Sequence, residues 1–196
     1  MKSITNWKRF WEISDDYKLQ KLHSFQSIDS CLTEPPINVL DIGCGFAFES
    51  RLLHKKYNSK LWLLEGDVSN NGEKNRDIKF GDVNSMMYYN NFEDIRKVLD
   101  EDNIKDYVML DADNLSIDDD VKFDLVISCF SCGFHYPINS YRDLLLKHSH
   151  KDTKFIFDIR TINIQNNTVK FDKGVKITKV IETGLKHTKA MIEISR

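Results

Sequence analysis

Two glycines and an acid twenty residues later carry the clearest chemical signal in this chain. The run Val39-Leu40-Asp41-Ile42-Gly43-Cys44-Gly45 reads as a buried strand that enters a glycine turn and then a helix. Glycine at 43 and 45 removes side chains where the backbone must turn sharply and where a ligand would lie against it. Glu65 closes a second apolar run, Leu61-Trp62-Leu63-Leu64, where a carboxylate can accept ribose hydroxyls. This arrangement suits a nucleotide cradle.

The elements that must position these residues follow from periodicity. Ile37 to Ile42 is apolar and β-branched enough for an interior parallel strand, and Phe46 to Tyr57 has near-helical spacing of Phe46, Leu52, Leu53 and Tyr57. Asn6 to Leu32 reads as one or two helices bearing Trp7, Phe10, Trp11, Tyr17, Leu22 and Phe25, and Pro35-Pro36 stops it. Residues 1–34 thus form a helical segment, which either packs as a stripe or lies across the nucleotide site as a lid. Residues 35–196 form the binding domain.

After Glu65 comes a polar turn and an irregular stretch to Asn91. A helix from Phe92 to Leu99, strands Asp106–Leu110 and Phe123–Ser128, a helix from Tyr141 to His148 and a strand Lys154–Asp158 follow. Alternation of strand and helix argues for a parallel sheet covered on both faces. Val175–Glu182 and Thr188–Ile194 have hairpin spacing, so the sheet finishes in an antiparallel pair.

Composition sets the outer limits. A chain of 196 residues with 41% hydrophobic content suits one domain. The formal net charge is -2, so the molecule as a whole does not attract nucleic acid. Lysines at 170, 173, 176, 179, 186 and 189 are read first as a solvated edge strand and second as an RNA contact. The 4 cysteines, at 31, 44, 129 and 132, lack the spacing of small secreted domains, and no leader or long apolar span is evident. A reducing, cytoplasmic setting with no membrane contact is expected. Cys129 and Cys132 form a single C-x-x-C that continues an apolar run and is read as buried thiols. No cluster has metal spacing; Asp118-Asp119-Asp120 reads as a solvated turn, and His148 and His150 as solvent-facing.

From about Ile37 to the C-terminus the sequence resembles the class I S-adenosylmethionine-dependent methyltransferases. Asp41-Ile-Gly43-Cys44-Gly45 matches the family's D-x-G-x-G loop, and Glu65-Gly66 the acidic end of its second strand. Asp111-Ala112 matches the acid-plus-small pair after the third strand, and Phe123 to Ser128 the fourth strand, whose end faces the sulfonium. The resemblance implies a Rossmann-like, seven-stranded, mostly parallel α/β sheet with a C-terminal antiparallel hairpin. It implies S-adenosyl-L-methionine as cofactor, held by Asp41, Gly43, Cys44, Gly45, Glu65, Gly66, Asp111, Ala112 and Ser128. Each acid also has a plain structural role open to it: Asp41 as a helix cap, Glu65 as a solvated strand end, Asp111 as the start of a turn.

Dinucleotide-binding dehydrogenases share a glycine turn and a later acid, but here the third glycine is replaced by Phe48. A carboxylate at Asp41 also suits a cofactor carrying an ammonium better than one carrying a pyrophosphate. The loop Ser128-Cys129-Phe130-Ser131-Cys132-Gly133-Phe134-His135-Tyr136-Pro137 lacks the D/N-P-P-Y/F sequence of amide and adenine methylation and the Pro-Cys of cytosine-C5 enzymes. It looks like the serine-then-histidine loop that lines the acceptor pocket in small-molecule and some RNA-directed members. His135 is the candidate general base, with its ordinary pKa near neutrality, unless it is only packed between its aromatic neighbours. Phe130, Ser131 and Tyr136 are the candidate acceptor contacts. The expected acceptor is a small molecule or nucleotide, methylated on oxygen or nitrogen. RNA, or a non-catalytic binding subunit, is the alternative; the latter is motivated by 160–174, which lacks the helix that relatives place there.

Overall fold

The computed structural model describes residues 14–71 and 90–195. Trp7, Phe10, Trp11 and most of the irregular stretch after Glu65 lie outside them. Four helices are described: α1 (Asp15–Asp29), α2 (Phe48–Tyr57), α3 (Phe92–Glu101) and α4 (Arg142–Lys147). The strands are β1 (Asn38–Ile42), β2 (Lys60–Glu65), β3 (Tyr107–Asp111), β4 (Phe123–Ser128), β5 (Ser149–Arg160), β6 (Ile164–Gln165), β7 (Thr168–Val169), β8 (Val175–Thr183) and β9 (His187–Ile194). They form one sheet in the order β3-β2-β1-β4-β5-β9-β8-β7-β6.

β3 to β5 are parallel, as central strands buried on both faces should be, and β9 inserts antiparallel between β5 and β8. Chain order reverses between β1 and β4, so a crevice opens outside their carboxyl ends, the usual ligand position in such sheets. The sheet has nine strands rather than seven because 160–174 supplies a two-residue hairpin, β6 with β7, in place of a helix. Strands this short blunt the sheet edge against pairing with another chain.

Alternate residues feed two cores. Leu40, Ile42, Val126, Phe155, Phe157, Ala190 and Ile192 face one side, which Leu145 of α4 and Ile138 cover. Val39, Leu61, Leu63, Leu125, Ile127 and Ile156 face the other, under Ile28 of α1, Leu53 of α2 and Ile95 and Leu99 of α3. Ser14 caps α1 by accepting from the Tyr17 N–H. α1 is anchored to α2 by Lys21 on Glu49 and by Asp29, which accepts from Lys56 and Tyr57. No helix among the described residues is long and apolar enough to cross a membrane.

Two sequence expectations are corrected. His148 is 3% exposed, with Nδ1 2.9 Å from the Val121 carbonyl, because α4 ends where β5 turns back under the 121 loop. Lys189, expected on a solvated edge, is 2% exposed, since β9 is an interior strand between β5 and β8.

Candidate active site

The glycine loop is set by two backbone bonds. The N–H groups of Gly43 and Cys44 both donate to the Leu64 carbonyl, at 2.8 and 3.2 Å, which pulls the chain off β1 across the end of β2. Gly43 and Gly45 then take positive φ, 69° and 55°. At Gly43 a Cβ would lie 1.9 Å from Ser131 Oγ, so only glycine lets the loop after β4 approach. Cys44 is buried with its Sγ toward the Gly45 carbonyl, and burial, with the charges of Glu65 and Asp41, pushes its thiol well up.

Glu65 and Asp111 are register partners across β2 and β3, which puts their side chains together at the rim. The Glu65 carboxylate accepts from Gly45 N–H at 2.8 Å, Gly66 N–H at 3.1 Å and Asn90 Nδ2 at 3.1 Å. Asp111 Oδ1 accepts from the Asp113 N–H at 2.9 Å, the local turn that its position also suggested. The Ala112 N–H is committed to the Glu65 carbonyl at 2.9 Å, because β2–β3 pairing runs one residue past Asp111. The acid-plus-small pair therefore presents its carboxylate and not that amide.

Asp41 and Ser128 sit inside instead. Asp41 is 3% exposed and accepts from Ser50 Oγ at 2.5 Å, tying β1 to α2. Burial raises its pKa to about 7, against the lowering by the Ser50 bond. A carboxyl whose folded pKa exceeds its unfolded value favours the fold at low pH, and that contribution fades as pH climbs from about 4 through 7. In urea titrations across pH 4 to 9, Asp41→Asn should therefore gain stability relative to the parent as pH rises, and a constant difference would show that Asp41 is ionised throughout. Ser128 is fully buried; its Oγ donates to the Ile42 carbonyl and accepts from the Cys132 N–H, both at 2.8 Å, so it joins β1 to the loop after β4.

That loop is compact. Phe134 N–H and His135 N–H both donate to the Ser131 carbonyl, and Ser131 Oγ meets the Tyr136 hydroxyl at 3.0 Å over Gly43. Burial pushes the Tyr136 phenol up, so it stays protonated. Phe130, at φ 56°, carries its ring 4.5 Å from His187 and 5.4 Å from Phe134. The His135 ring stands edge-on to Phe134, and its buried Nδ1 has no hydrogen-bond partner. Burial and the nearby Arg160 guanidinium hold its pKa below the usual value. Arg160 is fixed by donation to the Phe134 carbonyl at 2.5 Å. Cys129 and Cys132 are free thiols in opposite cores, Cys129 beside Ser24 and Lys189, Cys132 toward the Pro137 carbonyl.

Sequence reasoning missed Arg160, His187, Asn90 and a buried charged row. In that row Lys189 pairs with Asp158 at 2.9 Å and Lys21 with Glu49 at 3.0 Å; Lys189, Asp158 and Glu49 are buried and Lys21 is half-buried. Asp158 at the end of an apolar strand was the one visible signal.

No family model matches the chain, and no curated protein sequence matches it. Solved structures do. A ribosomal protein L11 methylase from Lactobacillus delbrueckii aligns over 94% of this chain and 81% of its own, with TM-score 0.58 and 16% identity. The PH0226 protein from Pyrococcus horikoshii covers 93% of both chains, with TM-score 0.62 and 15% identity. An MtNAS mutant in complex with S-adenosylmethionine aligns over 96% of this chain and 70% of its own, at TM-score 0.55 and 13% identity. With five parallel strands, the antiparallel C-terminal hairpin and these neighbours in agreement, the chain has the class I methyltransferase fold.

Proposed function

We propose that this protein binds S-adenosyl-L-methionine in the crevice between β1, β2 and β3 and transfers its methyl group to an oxygen or nitrogen of a small molecule or nucleotide. The observation that carries the reading is the Glu65 carboxylate. It accepts from the Gly45 N–H of the left-handed glycine loop, with Asp111 beside it, at the carboxyl ends of β2 and β3 next to the β1–β4 reversal of strand order. These residues fit the cofactor: the loop leaves open space at Gly45, where the nearest atom to a Cβ would be Asn90 Nδ2 at 3.8 Å, and Glu65 and Asp111 offer acceptors to a nucleoside. A neighbour with this fold was solved with S-adenosylmethionine.

When bound, the cofactor supplies a methyl group already activated by its sulfonium. Glu65 would accept the ribose hydroxyls, and the glycine loop would hold the amino-acid end. Asp41 acts behind that loop, through Ser50, rather than on the cofactor. Rate then comes mainly from alignment, since the acceptor lone pair must meet the methyl in line. Ser131, Tyr136 and Phe130 line the acceptor side, and the His135 imidazole takes the acceptor proton where one must leave. A base needs to be neutral, and burial beside Arg160 keeps His135 so near pH 7.

Methyl-labelled cofactor offered with a metabolite extract and with RNA tests the reading. Label should enter one fraction, and no incorporation into either would defeat it. For His135, an NMR titration should give an imidazole pKa below 6.5, raised in Arg160→Gln because a cation that opposes protonation is gone. A parent value at or above 6.5 would remove it as a resident base.

A further inference from the structure

The hairpin edge carries a second candidate site, separate from the rim. A groove of about 440 Å³ is bounded by residues 165–176 without 166 and 167, among them Lys170, Phe171, Lys173 and Lys176. That volume is in the range of nucleotide-sized ligand sites. All three lysines are exposed, and Phe171 is 50% exposed. Lys170 Nζ lies 5.3 Å from the centre of that ring, so cation and aromatic face the same space.

The acid in the lining does not neutralise the lysines. Asp172 is 2% exposed and turned inward, its Oδ1 accepting from the Asn139 N–H at 2.7 Å. Arg142 adds a cation at the margin: it donates to the Lys173 carbonyl at 2.9 Å, and its guanidinium would be about 3 Å from a Cβ at Gly174. The acid across the ladder is Glu193, opposite Lys176. The groove is therefore cationic even though the whole chain is slightly acidic.

We infer that this groove binds single-stranded RNA, with Lys170, Lys173 and Lys176 on successive phosphates and a base stacked on Phe171. Cations with one stacking platform and polar neighbours, Gln165 and Thr168, match an unpaired nucleotide strand. A membrane surface would call for a wider apolar patch, and an acidic peptide has no use for the ring. The groove joins the rim through two connections. Thr161–Asn163 leads from Arg160 into β6, and Asn139, three residues past Tyr136, bonds to Asp172 and to the Lys173 carbonyl. Asn139 holds the Lys173 backbone within a few residues of the loop after β4, so the groove and that loop lie within the reach of a short oligonucleotide. The inference rests on the methyltransferase reading only in naming the acceptor as a nucleotide within RNA.

Fluorescence anisotropy with a labelled single-stranded RNA 12-mer, across 50–200 mM KCl, tests it. The parent should bind with steep salt dependence, and Lys170→Ala/Lys173→Ala/Lys176→Ala should weaken binding and reduce the log–log slope by about 2. Phe171→Ala should lose about 5- to 100-fold with the slope unchanged. Equal affinity in parent and triple variant, no binding by the parent, or equally tight binding of poly-glutamate or anionic vesicles would overturn the proposal. Cofactor affinity, measured separately by calorimetry, should be the same in the parent and the triple variant. A parent that binds the cofactor but not the RNA sinks the groove alone, and a parent that binds the RNA but not the cofactor sinks the methyltransferase reading alone.

Discussion

Lys189→Met should cost about 3–5 kcal/mol of stability at neutral pH, read as a shift in the urea midpoint at constant slope. Asp158 is fully buried, and Lys189 across the β5–β9 ladder is its ion-pair partner at 2.9 Å. Taking away one member leaves the other charge in a low-dielectric interior without compensation. Burial raises the Asp158 pKa even with the lysine present, and the variant should raise it further. A folded pKa above the unfolded one means that the penalty is absent at acid pH and grows as pH rises past about 4. The deficit of the variant should therefore shrink toward pH 4. Lys189→Met/Asp158→Leu should recover most of the loss, because a well-packed apolar pair can replace a buried ion pair at little cost. A pH-independent deficit, or no rescue, would mean that the lysine acts by packing its stem.

The sheet was legible because its central strands are short apolar runs bounded by turn residues. Phe123–Ser128 matches its strand at both ends, and the others lie within a few residues, apart from β5, which runs longer at both ends. Gly43, Gly45, Glu65 and Asp111 come to one rim because each ends or follows one of three neighbouring parallel strands, a placement that the alternation of strand and helix already suggests. What escaped notice depends on pairing across long sequence separations. Lys189 looks like a solvated lysine until β9 is known to lie between two strands, and its partner is 31 positions away in the chain. Asp41 and Ser128 look like rim residues, but in strands buried on both faces the alternation turns them toward α2 and toward the loop after β4. The role of Arg160 is set by a carbonyl 26 residues away, which no local pattern reveals.

Glu65→Ala carries the second large effect, a loss of about 100- to 1000-fold in cofactor affinity. Two charge-assisted hydrogen bonds to ribose hydroxyls are worth about 1.5–3 kcal/mol each, with water restoring part of the total. Glu65 also holds the Gly45 and Gly66 N–H groups, so part of the loss will come through the loop. Glu65→Gln separates the two contributions. Its amide oxygen can still receive a backbone N–H, and its affinity should fall between those of the parent and the alanine variant.

Isothermal titration of S-adenosylmethionine into the parent and Glu65→Ala proteins tests the central claim most directly. The account predicts a single site per chain in the parent and a loss of at least about 100-fold in the variant. No heat of binding in the parent, or equal affinity in the two proteins, would contradict it.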